Sequence, residues 1–353
     1  MGGALEKILA KSFMNRIKKL FDEQYVKDLF RRKVLPHYPA FKDIVRVEIK
    51  PYKELIWETT YHVVIGFDTY FIKVSGEEDK IPIFCSAHSD EPRENVYLAL
   101  KYLWGQHFET AVIDLPDPLF YSEYFNGTFY RGLRGENLLY YIKKKDFATV
   151  EEIVVAAAEL YAALHALPAV TEANFNPINS RIKTVIPGTA MIFKEMHERY
   201  QGKYDGTIRK IYDFFIAREE KFFATAPRLY LIHGDAHPEN IIKTGAGRIG
   251  LIDFTDLCLG DFARDLGSFL QQLAYKVIVK AGEEGYAARI QKLFLDSYLA
   301  AAGLKMTPDL EARLNLYYNW TAVRTATYWF LRHDAKPERG ESLLNEVKNN
   351  LNL

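Results

Sequence analysis

The stretch LIHGDAHPENIIKTGAGRIGLIDF, Leu231–Phe254, constrains this chain more than any other. Arg228–Ile232 (RLYLI) is a short apolar run of strand type that breaks at Gly234. Two further apolar runs, Ile241–Lys243 and Arg248–Phe254, flank Thr-Gly-Ala-Gly, which is hairpin-turn chemistry. A hairpin returns the end of its second strand to the start of its first. The spacing therefore sets Asn240 beside Asp253, with Asp235 close by on the preceding loop. Polar groups crowded there, in a chain that is 48% hydrophobic, call for a metal site, a phosphoryl-transfer site or a decorated loop.

The arrangement suits phosphoryl transfer. That chemistry needs a positioned hydroxyl, Mg²⁺ on the phosphates, and a carboxylate that orients or deprotonates the nucleophile. An Asn carbonyl and an Asp carboxylate are the hard oxygen ligands that Mg²⁺ takes, and Asp235 remains to receive the acceptor's proton. Asp235 and Asn240 are five positions apart, the spacing of the base and the metal-binding Asn in a protein-kinase catalytic loop. Asp253 follows eighteen positions after Asp235.

A chain of 353 residues suits two domains or one two-lobed domain. Lys plus Arg and Asp plus Glu number 46 each, so no global field favours nucleic acid or a membrane surface. Two distant cysteines, Cys85 and Cys258, give no disulfide framework. No secretory h-region and no membrane-length apolar window stand out, so a cytoplasmic protein without stable membrane insertion is expected.

Along the chain, Leu5, Ile8, Leu9, Phe13, Ile17, Leu20 and Phe21 repeat at helical spacing, with basic residues between them. Residues 1–40 read as a helical extension packed on its own domain. Residues 44–88 are β-rich, in IVRVEIKPY, TYHVVIGFDTYFIKV and KIPIFCSAH. A helix is expected over SDEPRENVYLALKYLW, with Ser89 or Asp90 as N-cap, followed by a short strand, TAVIDL. Beyond about residue 132 the pattern is mostly helical. The expected domains are 1–40, 41–125 and 126–353.

HGDAHPEN followed by LIDF resembles the aminoglycoside phosphotransferase and choline kinase family, whose pattern is HGDxxxxN and then an apolar-apolar-Asp-Phe run. GDFARDLGSF (Gly260–Phe269) is similar to the family's next element, and LYAALHAL to the helix that precedes its catalytic region. The resemblance spans roughly residues 60–335. It implies an α+β, two-lobed, protein-kinase-like fold with a small antiparallel sheet in the N-lobe and a larger, mainly helical C-lobe. It implies Asp235 as catalytic base, His233 as support of the loop backbone, Asn240 and Asp253 as Mg²⁺ ligands, and Asp265 as a structural partner of the loop. Glu94 would pair with a nucleotide-binding lysine, and Tyr121–Phe125, with Glu123 and Tyr124, would be the hinge against which the base stacks. The partners implied are ATP or GTP, Mg²⁺ and a small-molecule acceptor.

The phosphate-clamping lysine has no clear place. If KIPIFCSAH is the third strand, as its direct run into the helix favours, no lysine lies within it, and His88 or Lys73 would have to serve. If TYFIKV is the third strand, Lys73 fits but a long insertion follows. His165 reads as a structural histidine, His237 as a contact within its loop, and Glu239 as solvated or a loop contact. Tyr317, Trp320, Tyr328 and Trp329 read as core, with a cation–π acceptor site as the sharper alternative. Gly234-Asp235-Ala236-His237 also fits one element of a metallophosphoesterase, but that class's other blocks are missing. The serious rival is a nucleotide-binding pseudokinase with a regulatory or scaffolding role. Only a few residues separate Asp253-Phe254 from Gly260-Asp261, which leaves no room for a long activation segment and favours a small acceptor.

Overall fold

The computed structural model describes residues 15–353; the expected row at Leu5, Ile8, Leu9 and Phe13 lies outside the described residues. The chain divides into two compact units. The first comprises residues up to Thr110 with Asp114–Arg134, and the second Ala111–Ile113 with Gly135–Leu353.

Three long strands carry the first unit: β1 (Phe41–Ile56), β2 (Tyr61–Lys73) and β3 (Glu78–His88), paired antiparallel in sequence order. In β2, Tyr61, Val63, Ile65, Phe67, Thr69 and Phe71 form the buried row that a pleat's period of two imposes. A 3₁₀ turn, Arg16–Phe21, and helix α1 (Glu23–Lys33) pack into the same core through Ile17, Leu20, Val26 and Phe30. Phe30 meets Phe67 edge-on at 5.2 Å. Residues 15–33 thus belong to the sheet unit rather than to a separate extension, because their apolar face has the sheet to bury against.

β3 leads to α2 (Glu94–Gly105). Neither Ser89 nor Asp90 caps this helix; Arg93 precedes its first turn without a side-chain cap. The reason is local. His88 Nδ1 accepts the N–H groups of Asp90 and Glu91, both at 3.1 Å, and Ser89 Oγ accepts from Tyr61 N–H, so the segment forms a turn before the helix starts. The expected strand over Thr110–Leu115 shortens to β4 (Ile113–Asp114). β5 (Asp117–Ser122) and β6 (Gly127–Arg131) complete a five-stranded sheet in the order β1-β2-β3-β6-β5. Because β6 lies between β3 and β5, Glu123 and Tyr124 sit in a hairpin turn inside the unit, and the chain leaves it at Arg134 rather than at residue 125.

The second unit is mainly helical. After β7 (Glu136–Asn137) come α3 (Leu138–Lys144), α4 (Phe147–Ala166), α5 (Thr189–Tyr200) and α6 (Asp205–Thr225). Then follow β8 (Tyr230–Ile232), the hairpin of β9 (Ile241–Gly245) and β10 (Arg248–Leu251), and β11 (Cys258–Gly260). The chain ends in α7 (Phe262–Lys276), α8 (Glu284–Ala302), α9 (Pro308–Leu331) and α10 (Pro337–Leu351). Every residue of α7 from Phe262 to Gln271 is buried. At Gly267 the backbone of α9 comes so close that a Cβ would lie 2.8 Å from Leu314 O and from Tyr318 N. Among the described residues no helix is long and apolar enough to cross a membrane.

Candidate active site

β8 pairs with β11, Ile232 opposite Cys258, and delivers the chain into the polar loop. His233 is fully buried and Gly234 has φ +82°, where a Cβ would strike Asp256 O at 2.3 Å, so only glycine fits this bend. The loop's main chain is tied to the first turns of α7. Asp265 Oδ2 accepts the His233 N–H at 2.6 Å and Oδ1 the Gly234 N–H at 2.9 Å. Arg264 Nη2 donates to Gly234 O at 3.0 Å. His165 Nε2 lies 3.1 Å from Asp265 and its Nδ1 2.9 Å from Tyr298 OH, so His165 is the structural histidine that its sequence suggests. Burial pushes the Asp265 carboxyl up, but His165, His233 and the Gly234 N–H outweigh it and hold it below the usual range.

The hairpin brings the expected residues together. Asn240 is buried, and its Nδ2 donates to the main-chain oxygen of Asp235 at 3.0 Å. Ile252 N–H donates to Asn240 O at 3.1 Å, and His233 Nε2 donates to Ile252 O at 2.9 Å. Asp253, the next residue, is exposed, in the left-handed region at φ 64°, and its Oδ1 accepts from Thr255 Oγ1 at 2.8 Å. The donor set fits Mg²⁺. The Asn240 amide spends its N–H on Asp235, which leaves its oxygen as the acceptor, and Asp253 keeps Oδ2; both are hard oxygens. Among the described residues no group of three or more His, Cys, Asp or Glu could hold a metal ion; a pair of protein oxygens is the usual supply for Mg²⁺, which takes the rest of its shell from water and phosphate.

Asp235 is 37% exposed at its side chain and borders a cavity of about 420 Å³. His237 bridges two carboxylates, with Nε2 3.3 Å from Asp235 Oδ2 and Nδ1 3.1 Å from Glu239 Oε2. Lys276 Nζ holds the other Glu239 oxygen. Burial pushes the His237 imidazole down, but the two carboxylates win and raise it to about 10. Burial likewise raises Asp235, yet the His237 hydrogen bond and charge, with Arg324 and His233, hold it well below the usual carboxylate range. His237 is thus the loop contact that its position suggests, and Glu239 is its second anchor.

In the first unit, Glu94 opens α2. Lys73 ends β2, and its Nζ pairs with Glu77 Oε2 at 2.8 Å across the β2–β3 turn. β3 runs from that turn to His88, so the structure does not bring Lys73 to Glu94. Another group stands at the far end of β3, six residues before Glu94. The His88 ring packs on His62 at 4.6 Å, and Lys53 Nζ lies 3.2 Å from His62 Nε2. Tyr124 is exposed, 5.0 Å from Lys19 Nζ.

Sequence reasoning missed Arg264, Asn179, Asp256, Lys276 and Arg324. Asn179 Nδ2 donates to Asp256 Oδ1, and Arg264 holds Asn179 O as well as Gly234 O, which fixes the loop's far side. One signal was visible: Arg264 and Asp265 stand together between Phe262-Ala263 and Leu266 in the first turns of the helix, and charges set among apolar residues require partners when buried.

A five-stranded antiparallel sheet unit and a mainly helical unit that carries the Asp235 loop and the Asn240–Asp253 hairpin define a protein-kinase-like α+β fold. The chain belongs to the phosphotransferase enzyme family (APH), which matches residues 58–305. No curated protein sequence matches it. Among solved structures it is similar to spectinomycin phosphotransferase APH(9)-Ia in complex with ADP and spectinomycin, at 11% identity over 94% of this chain and 98% of that one, TM-score 0.58. It is similar to APH(2″)-IIa in a ternary complex with streptomycin and ATP, at 13% identity over 92% and 95%, TM-score 0.54. It is also similar to a Plasmodium vivax ethanolamine kinase, at 15% identity over 85% and 81%, TM-score 0.51. At these identities the likeness is one of fold.

Proposed function

We propose that this chain is a Mg²⁺-dependent kinase that moves the γ-phosphoryl group of ATP or GTP to a hydroxyl of a small molecule. The observation that carries the reading is Asp235, a carboxylate on a cavity wall, five residues before Asn240 on a loop whose amides Asp265 locks. A carboxylate held that acidic is a weak proton acceptor. It orients the acceptor hydroxyl and receives the proton only as the oxygen–phosphorus bond forms. His237 fixes the carboxylate's orientation, and His233 joins the loop to the strand end that bears Asp253. Asn240 and Asp253 would hold Mg²⁺, which when bound neutralises phosphate charge. In the first unit we assign a nucleotide contact to Glu94; Glu123 and Tyr124, which lie in the β5–β6 hairpin turn and not in the segment by which the chain leaves the unit, do not keep the hinge role. At the His88 end of β3, Lys53 is the cation on offer in place of Lys73, which pairs with Glu77; the His62 and His88 imidazoles beside it are pushed below their ordinary value, first of all by burial, and stay neutral.

The pairing of Lys73 also keeps the pseudokinase reading in view. Titration of the full chain with ATP and with GTP, each with and without Mg²⁺, separates the two. Nucleotide binding that requires Mg²⁺ and is lost in Asp253→Ala supports the kinase. No binding at millimolar nucleotide overturns it.

A further inference from the structure

The cavity that Asp235 borders is lined wholly by the second unit, and its α9 wall lies beyond the residues that the family matches. Its floor is neutral and hydroxyl-rich. Ser268 Oγ and Thr321 Oγ1 are 2.9 Å apart, and Gln272 Nε2 donates to Thr325 Oγ1 at 2.9 Å. Its charge is lopsided. Asp235 is the one carboxylate among the lining residues, against Lys276, Lys280, Arg324 and Arg332. Two of these cations are already matched, Lys276 by Glu239 and Arg332 by Asp334. Among the described residues Lys280 and Arg324 make no ion pair within 4.0 Å; Arg324 acts on Asp235 at longer range and is held in place 5.0 Å over the Trp320 ring.

The aromatic wall points the same way. Tyr328 and Trp329 line the cavity, and their rings are the natural seat of an ammonium acceptor. Those rings carry cations of the chain itself. Arg332 lies 5.1 Å from Tyr328 and 5.0 Å from Trp329, and Arg339 lies 4.7 Å from Trp329. An aminoglycoside or a choline-like amine would meet an excess of like charge, whereas an anion would meet two cations that no ion pair occupies.

Resting on the reading of this cavity as the acceptor site, we infer that the acceptor is a small, hydroxyl-bearing anion, a carboxylate or a phosphate ester. Its hydroxyl faces Asp235, and its charge is held by Arg324 and Lys280. The neutral floor serves its remaining hydroxyls.

The test uses four probes on one ring: glucuronate, glucose 6-phosphate, glucose and glucosamine. Binding to the full chain is read by ligand-observed saturation-transfer NMR at millimolar concentration, with saturating ADP present to fill any nucleotide site. Both anions are expected to bind more tightly than glucose, and glucosamine least. Arg324→Gln is expected to weaken the anions by roughly tenfold or more, and Arg324→Lys to restore part of the loss. Should Arg324→Gln fail to fold, Lys280→Ala, at an exposed position, reads the same loss. Glucosamine binding as well as the anions, anion binding unmoved by these variants, or no probe binding overturns the inference. A parallel ATP titration keeps the two ideas apart. Arg324-dependent anion binding without nucleotide binding sinks the kinase reading alone, and nucleotide binding with a preference for glucosamine sinks the anionic acceptor alone.

Discussion

Asp265 and His233 meet through a 2.6 Å hydrogen bond from the His233 main-chain N–H to Asp265 Oδ2. The Gly234 N–H takes the other carboxylate oxygen, so one buried side chain sets two consecutive amides of the loop that ends in Asp235. Asp265→Asn keeps the shape but points an NH₂ at one of those N–H groups and removes the charge. It is expected to lower stability by about 1.5–3 kcal/mol, the range for a charged hydrogen bond lost in the interior, and to reduce kcat without touching a ligand. Urea denaturation alongside turnover checks this. Unchanged stability would show that the carboxylate does not hold the loop.

Asp235→Asn is expected to leave nucleotide affinity nearly intact and to lower kcat by about 10²–10⁴, the usual contribution of a positioned general base. The amide can still touch the hydroxyl but cannot take its proton. Nucleotide titration and steady-state kinetics on the same preparation make the comparison. Wild-type turnover in the variant would remove Asp235 from the chemistry.

Much of the site was legible because hairpin geometry is local. The Thr-Gly-Ala-Gly turn fixes which ends of β9 and β10 meet, and hence that Asn240 and Asp253 are neighbours. The three long strands were legible from β-branched and aromatic runs. What escaped depends on pairing between distant segments. Glu123 and Tyr124 read as the hinge at a domain boundary near residue 125 until β6 is seen to slot between β3 and β5. The start of α2 was misplaced because His88, on the strand before it, captures the N–H groups of Asp90 and Glu91. Arg324 reaches the cavity from a helix nearly ninety residues past Asp235, and no spacing rule links the two. The aromatic row divided, since α9 buries Tyr317 and Trp320 and turns Tyr328 and Trp329 to the cavity.

Glu219, on α6, is buried with its Oε2 accepting the Ile182 N–H at 2.8 Å and its Oε1 accepting from Tyr317 OH at 3.1 Å. Burial dominates and lifts its carboxyl from the ordinary 4.5 to about 7, against the opposing pull of those two donors and of Arg264. The fold therefore favours the protonated acid. The stability that this group contributes is complete below about pH 4.5 and is lost as pH rises through about 7, on the order of 3 kcal/mol in all. Glu219→Gln removes the titration. Compared with wild type, it is expected to melt at a similar temperature near pH 5 and at a higher one near pH 8. Equal pH profiles for the two proteins would mean that Glu219 ionises in the fold as it does in water.

Gly267 marks the tightest approach between α7 and α9. A methyl group there would sit 2.8 Å from Leu314 O, 2.8 Å from Tyr318 N and 2.9 Å from Tyr317 Cβ. Two of these three neighbours are backbone atoms, so no side-chain rotation relieves the contact, and the helices must separate. Gly267→Ala gains helix propensity worth about 1 kcal/mol, which the forced separation opposes. Overpacking a rigid interface costs typically 1–3 kcal/mol or more, so net destabilisation is expected. The shift should reach function as well, because α7 carries Asp265 and Lys276 while α9 carries Arg324. A lower denaturation midpoint together with weaker acceptor binding is the expected result. A variant as stable as wild type would show that α9 can move aside freely, and the cavity wall would then be adaptable rather than preformed.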